Sequence, residues 1–208
     1  MNYLKAILQS LGLSLVKLSM AVIGLFVVAV ALPFRKGETK WLSSSHNEAY
    51  EWGVITLPKW AWLWSNDSDG SLGDSRGWWA KNAVFGLPHT SYFAQWWWLC
   101  IRNPVNNLRY TKLMSCDVSK AEITHQGDYF VRDKPDFAGY QFVVATVEGR
   151  SYYGLYIVHQ WNEERAFVLR AGFKVEPRHA KTDWGSEKPH KRHKGFTFRI
   201  SPYNEIRK

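Results

Sequence analysis

The densest group of residues able to do chemistry is Ser65-Asn66-Asp67-Ser68-Asp69-Gly70-Ser71-Leu72-Gly73-Asp74. Carboxylates at alternate positions before a glycine can converge on a hard cation, which makes Asp67, Asp69 and Asp74 the candidate ligands of a calcium-like site. Two departures weigh against it: Ser65 stands where an Asp is usual, and Arg76 where a bidentate Glu would close the loop. An Asp/Ser/Gly turn accounts for the segment better. With a histidine beside them, the same carboxylates would instead serve an envelope-active hydrolase, an alternative that needs acid and base within reach of one substrate.

A second group is basic. Residues 170–208 hold 11 basic and 4 acidic side chains, so most of the chain's net charge of +9 lies in this tail. Arg178, Lys181, Lys188, Lys191, Arg192 and Lys194 are candidates for contact with anionic lipid or a phosphate-rich partner. A solvated tail explains them as well. His190 and His193 have ligand-like spacing, yet the neighbouring lysines and arginines repel a cation. A basic, DNA-associated virion or ejection protein is the other alternative. Against nucleic-acid binding, aromatic platforms and basic residues mostly occupy different halves of the chain.

Elsewhere the catalytic vocabulary is thin. No GxSxG, HExxH, P-loop, Rossmann fingerprint or paired-cysteine zinc pattern occurs, and His89, His125 and His159 are scattered. No cofactor is expected, and the chain reads as non-enzymatic. Cys100 and Cys116 make no CxxC pair. They are either one disulfide, in an oxidising compartment, or two small apolar residues.

The elements that carry these residues begin with a hydrophobic helix. Leu18 to Phe34 is 17 residues without a charge, spanning about 25 Å as a helix. Upstream, Ile7, Leu8, Leu11, Leu15 and Val16 recur at helical spacing, so one helix starting near Tyr3 is expected, with Lys17 snorkelling and Pro33 ending it. A cleaved signal competes, since Ala29-Val30-Ala31 looks like a cleavage site. The long apolar n-region argues for retention. Lys5 and Lys17 at one end nearly balance Arg35, Lys36 and Lys40 at the other, so sidedness is undetermined.

Beyond the anchor the chain carries 12 Trp, 10 Tyr and 11 Phe, rings that suit a core, an interface or a headgroup layer. Residues 37–75 show no clean period. Ser91 to Ile101 suits a short helix capped by Ser91 and stopped by Pro104 near Arg102. Within it Trp96, Trp97 and Trp98 point about 100° apart, so the helix is either buried or laid on a membrane surface; with Trp78 and Trp79 they are the candidate interface residues. After Asp117 the period becomes two. Phe167, Leu169, Ala171, Phe173 and Val175, then Phe196, Phe198 and Ile200, read as the buried sides of strands. Tyr140–Val147 and Tyr152–Trp161 precede them, joined by Glu148-Gly149-Arg150, and Lys181–Lys194 is expected as an exposed loop.

Three stretches together carry a resemblance: the acidic turn from Trp64 to Asp74, the block Trp97-Trp98-Leu99-Cys100-Ile101-Arg102-Asn103-Pro104-Val105-Asn106-Asn107, and Gly172-Phe173-Lys174 with Gly195-Phe196-Thr197-Phe198. They resemble an uncharacterised family of small tailed-bacteriophage proteins, over about residues 55 to 203. The resemblance implies phage encoding and brings no activity with it. Read physically, Arg102, Asn103 and Pro104 end a helix while Asn106 and Asn107 turn the chain, a structural motif.

The expectation is an α+β chain in three parts. Residues 1–36 form one transmembrane helix, 37–116 a Trp-rich helical or irregular segment, and 117–208 an antiparallel β-meander of four to five strands with a basic tail. Its function is expected to be that of a single-pass membrane protein or minor virion component, structural or binding in role, with the lipid bilayer and protein neighbours as partners.

Overall fold

The computed structural model describes residues 2–43, 49–66, 79, 84–88, 91–181, 183–184 and 192–206. These fall into two compact units. The first comprises Met1–Leu15 with Arg109–Lys208, and the second Val16–Leu108.

Helix α1 (Asn2–Ala31) contributes to both units and runs on into a 3-10 turn at Leu32–Phe34. Its Leu, Ala and Val content supports a helix without interruption. Pro33 removes a donor and closes the run. Arg35 caps the end: its backbone N–H and its Nη1 both donate to the Leu32 carbonyl at 3.2 Å.

In the first unit, β3 (Ser115–Asp117), β4 (Glu122–Gly127), β5 (Gly139–Val147), β6 (Arg150–Gln160), β7 (Arg165–Phe173) and β8 (His193–Glu205) form a six-stranded antiparallel sheet of order β3-β8-β7-β6-β5-β4. β4 to β8 are the expected meander, and β3 adds a strand beyond it. Local chemistry sets the turns. Glu148 and Gly149 both take positive φ, 50° and 78°, the geometry of a two-residue hairpin closing the Val147–Arg150 pair. Asn162 Oδ1 accepts from the Glu164 and Arg165 N–H groups and fixes the β6–β7 turn.

Both faces of this sheet are apolar. Val131, Tyr156, Val158, Ala166, Val168 and Ile206 form one core cluster. On the opposite side Phe142 and Tyr153 pack with Ala6 of α1, while Tyr3 stacks on Phe142 at 4.5 Å and Gln9 Nε2 donates to the Ser151 carbonyl at 2.9 Å. This corrects the strand-face assignment. Ala166 and Val168 are fully buried, Phe167, Leu169 and Ala171 only half so, and Phe198 and Ile200 are exposed at 52% and 57%. Alternation identifies a strand, but when both sides are apolar it does not say which is the deeper.

One glycine pair shapes the sheet's end. Gly154 lies opposite Gly172, whose φ is +96°, and a Cβ on Gly172 would stand 2.0 Å from the Tyr153 carbonyl oxygen. A Cβ on Gly154 would meet the Phe173 carbonyl at 2.5 Å. The chain therefore passes close over β6 at Phe173, which packs edge-on against Tyr152 at 4.9 Å.

In the second unit, β1 (Lys36–Ser43) and β2 (Ala49–Thr56) form an antiparallel hairpin in which Lys36 pairs with Thr56 and Ser43 with Ala49. Sequence reading found no strand period here. The strand formers are present, in Thr39, Trp41, Tyr50, Trp52, Val54 and Ile55, but charged residues interrupt their alternation. A 3-10 segment follows at Lys59–Trp64. Helix α2 (Tyr92–Trp97) starts as expected at Ser91, whose Oγ accepts from the Ala94 N–H, and continues as a π-turn over Trp98–Arg102.

Candidate functional site

Within the second unit the later turns of α1 are docked by aromatic donors. Trp64 Nε1 donates to the Met20 carbonyl at 2.8 Å, Trp96 Nε1 to Leu25 at 3.0 Å, and the Tyr92 hydroxyl to Ala29 at 2.8 Å, while Cys100 Sγ reaches the Gly24 carbonyl at 3.5 Å. Small size at Gly24 permits this, since a Cβ there would stand 2.6 Å from the Trp64 ring. The residues α1 turns inward are Ala6, Ser10, Leu13, Gly24, Val28 and Ala31, mostly small. Most of those left outside are large and apolar, among them Leu4, Leu8, Leu11, Leu15, Leu18, Val22, Phe26 and Val30.

The expected structural motif is part of the layer beside this helix. Asn66 Oδ1 accepts from Asn103 Nδ2 at 3.3 Å and from Asn106 Nδ2 at 2.9 Å, and Asn107 Nδ2 donates to the Trp62 carbonyl. These amides, buried except for the half-buried Asn103, tie the chain on both sides of Pro104 to the 62–66 segment. Arg102 is exposed. Of the expected interface residues, Trp79 is buried with Nε1 donating to Leu87, Trp96, Trp97 and Trp98 are half-buried, and Trp78 lies outside the described residues. Asp67, Asp69 and Asp74 also lie outside them. Among the described residues no three His, Cys, Asp or Glu side chains come together as a metal would require.

Among the described residues the strongest charge cluster belongs to the first unit, and sequence reading missed it. Glu176 is 7% exposed and accepts from three arginines: Arg132 Nη2 at 2.9 Å and Nη1 at 3.3 Å, Arg178 Nε at 2.7 Å, and Arg170 Nη2 at 3.4 Å. Burial pushes this carboxyl up, but the hydrogen bond and charge of Arg132, then the charge of Arg178, outweigh it and hold Glu176 below the ordinary range. The Arg132 guanidinium stacks over Phe130 at 4.0 Å and that of Arg170 over Tyr156 at 4.5 Å. Tyr156 donates to Asp133, and burial followed by that bond pushes its phenol up to about 12. Beside Glu176, His179 Nδ1 accepts the Glu176 N–H at 3.0 Å. Burial, then Lys194, lowers this imidazole to about 4, so it is neutral at physiological pH. The available signal was Arg170, Glu176, Arg178 and His179 within ten residues.

That network engages one member of the expected basic surface, since Arg178 is paired with Glu176. Lys194 belongs to β8 with its ammonium 5.6 Å from the Trp184 ring, Arg192 directly precedes that strand, and Lys181 ends a 3-10 turn. Lys188 and Lys191 lie outside the described residues. The expected 181–194 loop is therefore shorter, because His193 already pairs with Asp117 in the sheet.

A serine, a histidine and an aspartate meet at that edge. Ser115 Oγ lies 3.4 Å from His193 Nδ1, and His193 Nε2 lies 3.9 Å from Asp117 Oδ2. The geometry does not make a nucleophile: Ser115 is buried and donates to the Thr111 carbonyl at 3.0 Å, and 3.9 Å is no hydrogen bond. Burial pushes the Asp117 carboxyl up, but its bonds from Ser119 prevail and hold it low. Cys116 and Cys100 are both free and buried, their thiols pushed up to about 12 by burial, which makes them inert.

Fold and sites together define a small α+β protein in which one long apolar N-terminal helix serves two compact units, the first built on an antiparallel sheet. That helix, Asn2–Phe34, is long and apolar enough to cross a membrane, a property that signal sequences and buried core helices share. The chain belongs to a family of unknown function, DUF7338, whose match covers residues 1–208. No curated protein and no solved structure matches it.

Proposed function

We propose that this protein is attached to a membrane through α1 and acts there as a structural or binding component rather than as an enzyme. The observation that carries the reading is the inverted character of α1. A helix of a water-soluble domain buries its large apolar residues and exposes polar ones. Here small residues face protein, and leucine, valine and phenylalanine are bare. Helices in lipid pack in this sense, with small residues at the protein contact and bulky ones toward hydrocarbon. Phage encoding, with a place in the host inner membrane or as a minor virion component, remains the reading of the sequence resemblance and belongs to this proposal.

Substitution on the bare side tests it. Val22 and Phe26 are 51% and 72% exposed, so Val22→Lys with Phe26→Lys leaves the buried residues of α1 in place. Each change removes about 1.5–3 kcal/mol of apolar burial if lipid covers the position. The full chain is expected to sediment with membranes and resist alkaline extraction, and the doubly substituted chain to be released. Equal behaviour of the two, both soluble, would sink the reading.

A further inference from the structure

Crossing a bilayer and lying along it make different demands on the second unit. A crossing helix gives its whole circumference, over about 30 Å, to hydrocarbon or to other protein buried at the same depth. In α1 the stretch that would have to cross is covered on one side along its length. Donors from Trp64, Cys100, Trp96 and Tyr92 reach the carbonyls of Met20, Gly24, Leu25 and Ala29 in that order. The covering layer is not made for hydrocarbon. It contains the buried Asn66, Asn106 and Asn107 amides and the half-buried Asn103, and it exposes Lys59 and Arg102. Amides and cations of this kind are costly at bilayer depth.

The opposite side of the same turns is apolar but for Ser19, with Leu18, Val22, Phe26 and Val30 at a spacing of four, exposed by 62%, 51%, 72% and 62%. A helix with one bare apolar side and one side held by indole and phenol donors suits the boundary between headgroups and acyl chains, where Trp and Tyr rings place a polar edge in the wet layer. We propose that α1 lies in the plane of the membrane surface, with Leu18, Val22, Phe26 and Val30 immersed among acyl chains and the second unit above them, and does not cross. The inference rests on the membrane attachment proposed above and specifies its mode.

The two modes differ in where the helix ends emerge. Lys5 and Lys36 are both exposed and flank α1, so Lys5→Cys and Lys36→Cys each place one reactive thiol at one end. The native Cys100 and Cys116 are buried and stay unlabelled. The full chain, in sealed vesicles of phosphatidylethanolamine and phosphatidylglycerol, is treated with a membrane-impermeant maleimide before and after lysis. If the inference holds, both thiols react to the same extent before lysis, with a ratio near one. A crossing helix gives one thiol reactive before lysis and the other only afterwards, which overturns the inference and leaves the attachment standing. Failure of the chain to float with the vesicles overturns both.

Discussion

Replacing Glu176, itself 7% exposed, with glutamine leaves Arg132, Arg170 and Arg178, whose side chains are 26%, 23% and 53% exposed, facing one another. Removing one partner from such a cluster costs about 3 kcal/mol, because the remaining charges keep their desolvation penalty without compensation. Urea denaturation of Glu176→Gln is expected to show that loss, while Glu163→Gln on the exposed β6–β7 turn shows almost none. The same cluster makes the protein acid-sensitive. Glu176 titrates below its unfolded value, so its contribution is complete above about pH 4.3 and is lost as pH falls through the folded value. His179 acts in the same direction, since the unfolded chain takes up its proton near 6.5 and the folded one at about 4. Stability should therefore decline as pH drops from about 6.5 toward 4. A midpoint that rises on acidification would contradict this. The ingredients around Pro177 were visible in sequence, but Arg132 stands 44 positions from Glu176, and only the fold brings them together.

Gly172 belongs to the scale of the strand. Alanine there must adopt a φ of +96° and put a methyl 2.0 Å from the Tyr153 carbonyl oxygen, a backbone atom that cannot step aside. Gly172→Ala should cost more than about 2 kcal/mol, read as a lower unfolding temperature, whereas Gly149→Ala meets no atom within 4 Å and carries only the strain of its φ. Elements with a local cause were legible from the residues: the Ser91 cap, the Glu148-Gly149 turn, the Pro33 stop and the four strands β5 to β8 of a meander expected to have four or five. Elements whose cause is pairing were not. β1 and β2 alternate too poorly to read alone, β3 is three residues long, and the deeper face of β7 follows from what packs on each side. For the same reason the helix after Ser91 was legible, while its π-turn at Trp98 was not.

At the scale of the whole chain, membership of the family covers all 208 residues, so α1 is part of what the family shares. Its apolar run announces itself in the sequence, but its division between two units does not, because periodicity reports one helix and is silent about its neighbours. Tyr3 illustrates the point: its hydroxyl meets Gln126 and Tyr140, both at 2.5 Å, across 123 and 137 positions.

Those separations set an order of events during synthesis. Residues 2–15 leave the ribosome well before the strands they rest on, β4 to β6, which are translated more than a hundred residues later and end at Gln160. At about 5–20 residues per second the helix waits on the order of ten seconds for its partners. Through that interval Tyr3, Ala6 and Gln9 lack the strand residues they pack on, so either a bilayer or a chaperone must hold the nascent segment. Chains halted at residue 108 should therefore leave residues 2–15 open to protease in a translation extract without membranes and shielded when vesicles are added.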